Sequence, residues 1–266
     1  MSSEDCLLLS LVVPAYNEER RLPNTLEQIR SHLAAQEFGW EAIIVDDGSA
    51  DDSAAVVERM TARDDRFRLI RNPHAGKGYA VRTGMLEAKG ELVFMADADL
   101  SMPISEINKF VPLAQTDKDV VIGSREADGA KRLEEPFYRH IMGRVFNLLV
   151  QAMLVPGIKD TQCGFKCFRR PAARAIFQNL RLYNTPKEVV GPMVTGFDVE
   201  VLYLARKWGL QVRELPIIWH HSPTENVNPV RDTLRMLGDI LKVRLNDLGG
   251  QYPSAPAELG HGTNRS

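Results

Sequence analysis

The chain has 266 residues, 44% hydrophobic and 26% charged, with a net charge of −2; this is ordinary globular composition and gives no general basic field for nucleic acid. Cys6, Cys163 and Cys167 are an odd number with no second CxxC-type pair, which argues against a disulfide framework or a closed zinc site and fits a reducing cytoplasm. No window of about 18 apolar residues occurs, so no membrane-spanning helix is expected and any membrane contact has to be peripheral.

The first element, LLLSLVV (Leu7 to Val13), follows Glu4 and Asp5 and runs into PAYNEE without a cleavage site, so it reads as a buried strand rather than a signal peptide. Leu22, Leu26, Ile29 and Leu33 then fall at helical steps after Pro23. WEAIIVDDGS is a second apolar run ending in acidic and turn residues. A helix starting near Asp51 or Asp52 carries Val56, Val57 and Met60 inward, and Arg68 to Arg71 is a short strand. GKGYAVRTGMLEAKG is a loop entering a third helix, and ELVFMA is the strand before DADLS.

Beyond Pro103, ISEINKFVPLAQ reads as a helix, DVVIGSR as a strand, and FYRHIMGRVFNLLVQAML as a long helix with Phe137, Ile141, Val145, Leu148 and Ala152 on one side. CGFKCF is a strand, AARAIFQNL and DVEVLYLARKW are helices, and QVRELPIIW is one late strand. Residues 229 to 248 form an amphipathic helix, and the Gly-, Pro- and Ser-rich tail 249–266 is expected to be disordered. The alternation predicts an α/β fold with right-handed crossovers and a mostly parallel sheet between helical layers. PAYNEE, DDGS and DADLS all follow strands, and in open α/β sheets ligands bind at the carboxyl ends of strands, so these loops should share one crevice.

Several side chains in that crevice can do chemistry. Asp97 and Asp99 share a face if their strand persists; the pair is either a solvated Asp-rich turn or the seat of a hard cation such as Mg²⁺, which binds through one or two carboxylates plus water and phosphate. Tyr16, Asn17 and Glu18 either present an aromatic face and acceptors to a base or form a capped strand-to-helix turn. Asp46 and Asp47 either accept hydrogen bonds from a base or ribose or open the next helix as an Asx turn. Lys77, flanked by two glycines, enters a helix whose first amides suit a phosphate, although no P-loop or GxGxxG spacing is present. His220 and His221 are adjacent in a strand and face opposite ways, which disfavours a shared metal.

In this order and at these separations, PAYNE, VDDGS, GKG and DAD resemble the family 2 glycosyltransferases across roughly the first half of the chain. GSR at 123–125, DTQCGFK at 160–166 and GFDVE at 196–200 resemble the dolichyl-phosphate glucosyl- and mannosyltransferase branch, and DADLS is closer to its glucosyl members. The resemblance implies a nucleotide-sugar-binding fold of the glycosyltransferase A type, with residues 1–248 as one catalytic domain. The implied reaction is inverting transfer of a hexose, glucose first, from a nucleotide-diphosphate sugar to polyprenyl phosphate, by a protein held peripherally on the cytoplasmic face of a membrane.

The same resemblance implies donor contacts from Pro14, Ala15, Tyr16, Glu18, Asp46, Asp47, Lys77, Asp97 and Ala98, with Mg²⁺ or Mn²⁺ on Asp97 and Asp99 and the second Asp as the firmer ligand. Ser101 stands where the mannosyl branch often has Gln, so water replaces a third protein ligand. Arg125 and Arg139 resemble the arginine pair that grips the acceptor phosphate. Asp160 is placed near the sugar hydroxyls or the metal-bound water. Asp198 and Glu200 act either at the sugar or as dipole-favoured helix-start acids. Two rival functions remain open: a soluble or polysaccharide acceptor, and a non-catalytic nucleotide-sugar-binding module. The helices at Phe137–Leu154 and 229–248 are the candidates for a membrane surface; the latter, with Arg231, Arg235, Lys242 and Arg244 beside its leucines, can lie on an anionic leaflet, on the core or on a second subunit of a homo-oligomer.

Overall fold

The computed structural model describes residues 7–133, 144, 147–187, 189, 191, 196–220 and 229–259. In chain order the elements are β1 (Leu7–Ala15), α1 (Leu22–Ala34), β2 (Gly39–Asp46), α2 (Ser53–Thr61), β3 (Phe67–Arg71), α3 (Lys77–Glu87) and β4 (Leu92–Met95). Then come α4 (Ile107–Ala114), β5 (Val120–Ser124), β6 (Lys131–Leu133), α5 (147–153), β7 (Lys166–Arg169), α6 (Arg170–Asn179), α7 (Phe197–Lys207), β8 (Val212–Pro216), β9 (Ile218–His220) and α8 (Pro229–Leu248).

Seven strands form the main sheet in the order β3-β2-β1-β4-β7-β5-β8. All neighbours pair in parallel except β7, which runs antiparallel to both β4 and β5. The first half is parallel because each strand is followed by a helix that returns the chain to the same edge. Alternate side chains of one strand feed opposite layers: Leu9, Leu11 and Val13 join the core under α1, α2 and α4, whereas Val12 joins the core under α3, α6 and α7. Both faces are therefore covered, as the near-continuous apolar runs require.

Three expectations change. CGFKCF does contain a strand, but Lys166–Arg169 inserts antiparallel between β4 and β5. QVRELPIIW is two strands: β8 joins the main sheet at Val212–Pro216, and β9 pairs with β6 in a separate two-stranded ribbon. The tail is not disordered over 249–259. Tyr252 is 5% exposed, Trp208 Nε1 donates to Pro253 O at 3.0 Å, and Arg181 Nη2 donates to Gln251 O at 2.8 Å. A segment poor in apolar residues is fixed by one buried aromatic ring and by backbone carbonyls that meet donors. The first half of the predicted Phe137–Leu154 helix, apart from residue 144, lies outside the described residues, as do 260–266.

Candidate active site

The loops after β1 and β2 are joined by side-chain hydrogen bonds. Asn17, held at φ +54°, receives Ala50 N on its Oδ1 at 2.9 Å and donates its own N to Ser49 Oγ at 2.9 Å. Glu18 N donates to Ser53 Oγ at 2.7 Å, and Glu19 N to Asp51 Oδ2 at 3.1 Å. Asp46 turns the β2 end by accepting Ser49 N, 3.2 Å from its Oδ1. Pro14 and Ala15 are the last residues of β1, in register with Val45 and Asp46, and Ala15 O accepts Asp47 N at 2.9 Å. Ala98 plays a comparable part after β4, its carbonyl accepting Thr25 Oγ1 at 2.7 Å.

The loop after β3 is held by Asp47. Its carboxylate is 2% exposed and accepts Ala75 N at 3.1 Å, Gly76 N at 2.8 Å and His74 Nδ1 at 2.8 Å. Asp47 thus shapes the approach to α3. His74 in turn stacks on Tyr16, with ring centroids 3.8 Å apart and planes 3° from parallel.

Charges of both signs converge beyond these loops. Lys77, the first residue of α3, places Nζ 2.5 Å from Asp97 Oδ1, with side chains 37% and 38% exposed. Burial favours the neutral form of this lysine, but Asp97, Asp198 and Asp99 outweigh it and raise its pKa. Burial pushes Asp97 upward, and Lys77, Lys166 and Arg125 hold it below the usual carboxylate range. Lys166 is fully buried and reaches Asp198 Oδ1 and Cys163 O. Arg125 grips Asp160 with Nε at 2.7 Å and Nη2 at 2.9 Å, and its backbone N also donates to Asp160 Oδ2 at 2.9 Å. Burial would raise Asp160, yet the Arg125 charge and hydrogen bonds, with Lys166, bring it down to about 2.

Lys77, Lys166 and Arg125 therefore face Asp97, Asp160 and Asp198, a charge-balanced set completed from β4, β5, β7 and α7. Gly164 explains how these elements fit: a Cβ there would lie 2.2 Å from Asp97 Oδ2, so any larger residue would push the Asp97 carboxylate out of its place in the cluster. Asp99 stands at the rim. It accepts Ser101 N at 2.9 Å and Ser101 Oγ at 2.8 Å, and its charge helps burial to raise Glu18, against the pull of Arg21.

The sequence model of glycosyl transferase family 2 matches residues 10–177. The chain belongs to that family. It is 34% identical over 260 residues to a dolichyl-phosphate beta-glucosyltransferase of Dictyostelium discoideum, covering 92% of this chain and 76% of the relative. The human dolichyl-phosphate beta-glucosyltransferase is 32% identical over 259 residues, with 92% and 77% covered. Among solved structures, glucosyl-3-phosphoglycerate synthase of Mycobacterium tuberculosis with Mn²⁺, UDP-glucose and phosphoglyceric acid superposes with a TM-score of 0.59 at 15% identity, covering 90% of this chain and 80% of that one. That likeness shows the fold, glycosyltransferase A type.

Seen in this glycosyltransferase, the expected site residues divide. Tyr16, Glu18, Asp46, Lys77, Asp97, Asp99, Arg125, Asp160 and Asp198 lie on the strand-end loops or in the charge cluster they surround. Asp97 and Asp99 do not share a strand face, because β4 ends at Met95 and a turn follows, with Leu100 at φ +44°. Arg125 is not an open fork, since Asp160 occupies two of its nitrogens. Glu200 leaves the cluster altogether: it is fully buried and accepts Arg181 N at 2.7 Å, Leu182 N at 3.0 Å and Tyr252 Oη at 2.6 Å. Arg139 and His221 lie outside the described residues. Sequence reasoning missed Lys166, His74 and Gly164. A charged residue within the apolar run CGFKCF was the available signal for Lys166; His74 carried none.

Asp97 and Asp99 supply hard carboxylate oxygens, the donor type that Mg²⁺ and Mn²⁺ prefer. A carboxylate has about four lone-pair positions, so the contacts to Lys77 and Ser101 leave acceptor capacity on both. Among the described residues no group of three or more His, Cys, Asp or Glu is placed to hold a metal ion. A cation here would be completed by water and phosphate oxygens, which suits Mg²⁺ and Mn²⁺.

Proposed function

We propose that this glycosyltransferase moves glucose from UDP-glucose to a polyprenyl phosphate such as dolichyl phosphate, with inversion at the anomeric carbon. The observation that carries this reading is the 32–35% identity to dolichyl-phosphate beta-glucosyltransferases over about nine-tenths of the chain. It is supported by the cluster, which draws on the GSR, DTQCGFK and GFDVE segments as well as on the donor loops.

The residues have separable tasks. Tyr16 and Asp46 face the nucleoside end of the donor. Lys77, at the first turn of α3, offers an ammonium and helix amides to the diphosphate. Asp97 and Asp99 would hold Mg²⁺ or Mn²⁺, which when bound neutralises charge developing on the leaving diphosphate. The acceptor phosphate is largely ionised at neutral pH, so the site needs to orient it rather than to deprotonate it. Arg125, fixed by Asp160 and lying 5.4 Å over the Trp219 ring, provides positive charge of defined orientation for that step, with Arg139 as its proposed companion. Asp198, tethered to Lys166, sits where a sugar hydroxyl can be held.

The lipid end is assigned to α8. Leu234, Leu241, Leu245 and Leu248 are 64%, 53%, 66% and 72% exposed, while Asp239 is 2% exposed and Asp247 pairs with Lys207. Two of the acids that dilute the helix in sequence, Asp239 and Asp247, are thus withdrawn, and Arg235, Lys242 and Arg244 accompany the leucines, a pattern that fits peripheral binding to the cytoplasmic leaflet. Among the described residues no helix is long and apolar enough to cross a membrane.

The test is lipid-extractable label after incubation with Mn²⁺, polyprenyl phosphate in anionic vesicles, and labelled UDP-glucose or GDP-mannose in parallel. Label from UDP-glucose alone is expected. Label from GDP-mannose alone changes the sugar, and label only in a water-soluble product removes the lipid acceptor. Replacing Leu241 and Leu245 by Asp should weaken vesicle co-sedimentation by roughly tenfold or more, given ~1.5–3 kcal/mol per fully buried leucine.

A further inference from the structure

His74 takes no part in the tasks above, yet its side chain is held from several sides. Its Nδ1 lies 2.8 Å from Asp47 Oδ2 and 3.0 Å from Asp47 O, and its Nε2 lies 3.1 Å from Gly191 O. Its backbone carbonyl accepts Val189 N at 3.3 Å. Gly48, at φ +71°, lets the β2 loop pass so close that a Cβ there would sit 2.7 Å from His74 N. Acceptors flank both ring nitrogens, Asp47 at Nδ1 and Gly191 O at Nε2, so whichever nitrogen carries the proton finds a partner in this orientation, and the face the ring offers is the face stacked on Tyr16. Asp47 is aimed at this imidazole and the two amides that follow it. That arrangement exceeds what a turn between β3 and α3 needs.

We propose that His74 is a positioning residue for the donor: it locks the Tyr16 ring as a platform on which the nucleobase of the nucleotide sugar stacks. The inference rests on the donor assignment in the proposed function. Tyr16 is only partly buried and follows the strand end directly, so without a partner its ring is free to swing between rotamers. Stacking on a fixed imidazole removes that freedom before the base arrives, which strengthens binding by pre-organisation. His74 belongs to the loop that delivers Lys77, and through residues 189 and 191 it touches the chain leading into α7 and Asp198. The platform for the base and the charges for the diphosphate are consequently held in one frame.

The experiment compares binding of UDP-glucose with Mn²⁺, binding of inorganic diphosphate with Mn²⁺, and steady-state kinetics for wild type, His74→Ala, His74→Gln, Tyr16→Ala and the Tyr16→Ala/His74→Ala double variant. His74→Ala should weaken UDP-glucose binding roughly 3- to 10-fold, the range of an aromatic pair. KM should rise by the same factor with kcat within twofold, because the base is bound alike in ground and transition states. Diphosphate, which lacks a base, should bind unchanged, and the double variant should be no weaker than Tyr16→Ala alone. His74→Gln keeps a donor for Asp47 and should fold normally while showing the same KM defect.

Unchanged UDP-glucose binding in His74→Ala and His74→Gln overturns the inference while leaving the proposed function standing. Additive effects of the two substitutions, or equal weakening for diphosphate, overturn it as well, since His74 would then only shape the loop at Lys77. Failure of wild type to bind or use UDP-glucose overturns the donor assignment and, with it, the platform.

Discussion

Asp198 and Glu200 stand two residues apart at the start of α7 and enter opposite environments, because positions i and i+2 on a helix point to different sides. Asp198 meets the buried ammonium of Lys166 and belongs to a cluster in which each carboxylate has a cation. Glu200 meets two backbone amides and a tyrosine hydroxyl, all neutral, and fastens residues 181–182 and the C-terminal segment to the core. Burial dominates there and pushes the Glu200 carboxyl up to about 7, whereas Asp160 in the cluster is held at about 2. The same chemical group thus joins a cluster of charges on one side and acts as a structural clasp on the other. What decides is the charge of its partners and not its position at a helix start.

The contrast can be broken most sharply on the active side. Asp99→Ala should lower turnover by about 10²- to 10³-fold, the loss typical of one electrostatic stabiliser, with thermal unfolding little changed. Near-wild-type turnover in that variant would remove the metal assignment. Gly164→Ala should cost about 10²-fold in kcat, since Asp97 has to move aside. Because the displaced atom is the end of a side chain, the melting temperature should stay within a few degrees; unfolding of this variant would show that the cluster also supports the fold.

On the structural side the order of effects reverses. Tyr252→Phe should lower stability by about 1–2 kcal/mol, through the lost hydroxyl donor to a buried carboxylate, while kcat stays within twofold. Urea midpoints and kinetics on one preparation separate the two.

The smallest effect is in pH dependence. Glu200 binds its proton more tightly folded than unfolded, so its contribution is complete below the ordinary glutamate value and is lost as pH rises through about 7. Glu200→Gln should flatten the fall in stability between about pH 5 and pH 8. Asp160 has the opposite sign: its contribution is present above the usual carboxylate range and is lost only as pH falls toward about 2.

Strand and helix alternation made β1 through β4 legible in sequence, since apolar runs such as AIIV and LVFM can only be buried on both faces and each was followed by a helical period. The crevice was legible for the same reason: PAYNEE, DDGS and DADLS each had to emerge at a strand end. The direction of β7 was not legible, because an apolar strand reads alike in either orientation. Glu200 looked identical to Asp198 until Tyr252, which is distant in sequence, supplied its partner. Asp47 was found as a site residue, but its hold on Ala75 N, Gly76 N and His74 was not legible, because those partners lie on a loop that sequence reasoning had treated only as a phosphate seat. His74 escaped notice because a single histidine in a turn acquires meaning only from Tyr16, Asp47 and Gly191, which lie on three other segments.

The insertion of β7 between β4 and β5 also sets the order in which the molecule can be made. β1 to β4 can pair as they leave the ribosome, but β5 must wait, since both its neighbours in the main sheet, β7 and β8, are synthesised after it. Until Lys166–Arg169 emerges, the outer edge of β4 is an unpaired strand carrying Phe94 and Met95, open to pairing with another nascent chain. A nonsense product ending before Lys166 would keep both Asp97 and that edge, and it should aggregate rather than persist as a soluble half-protein.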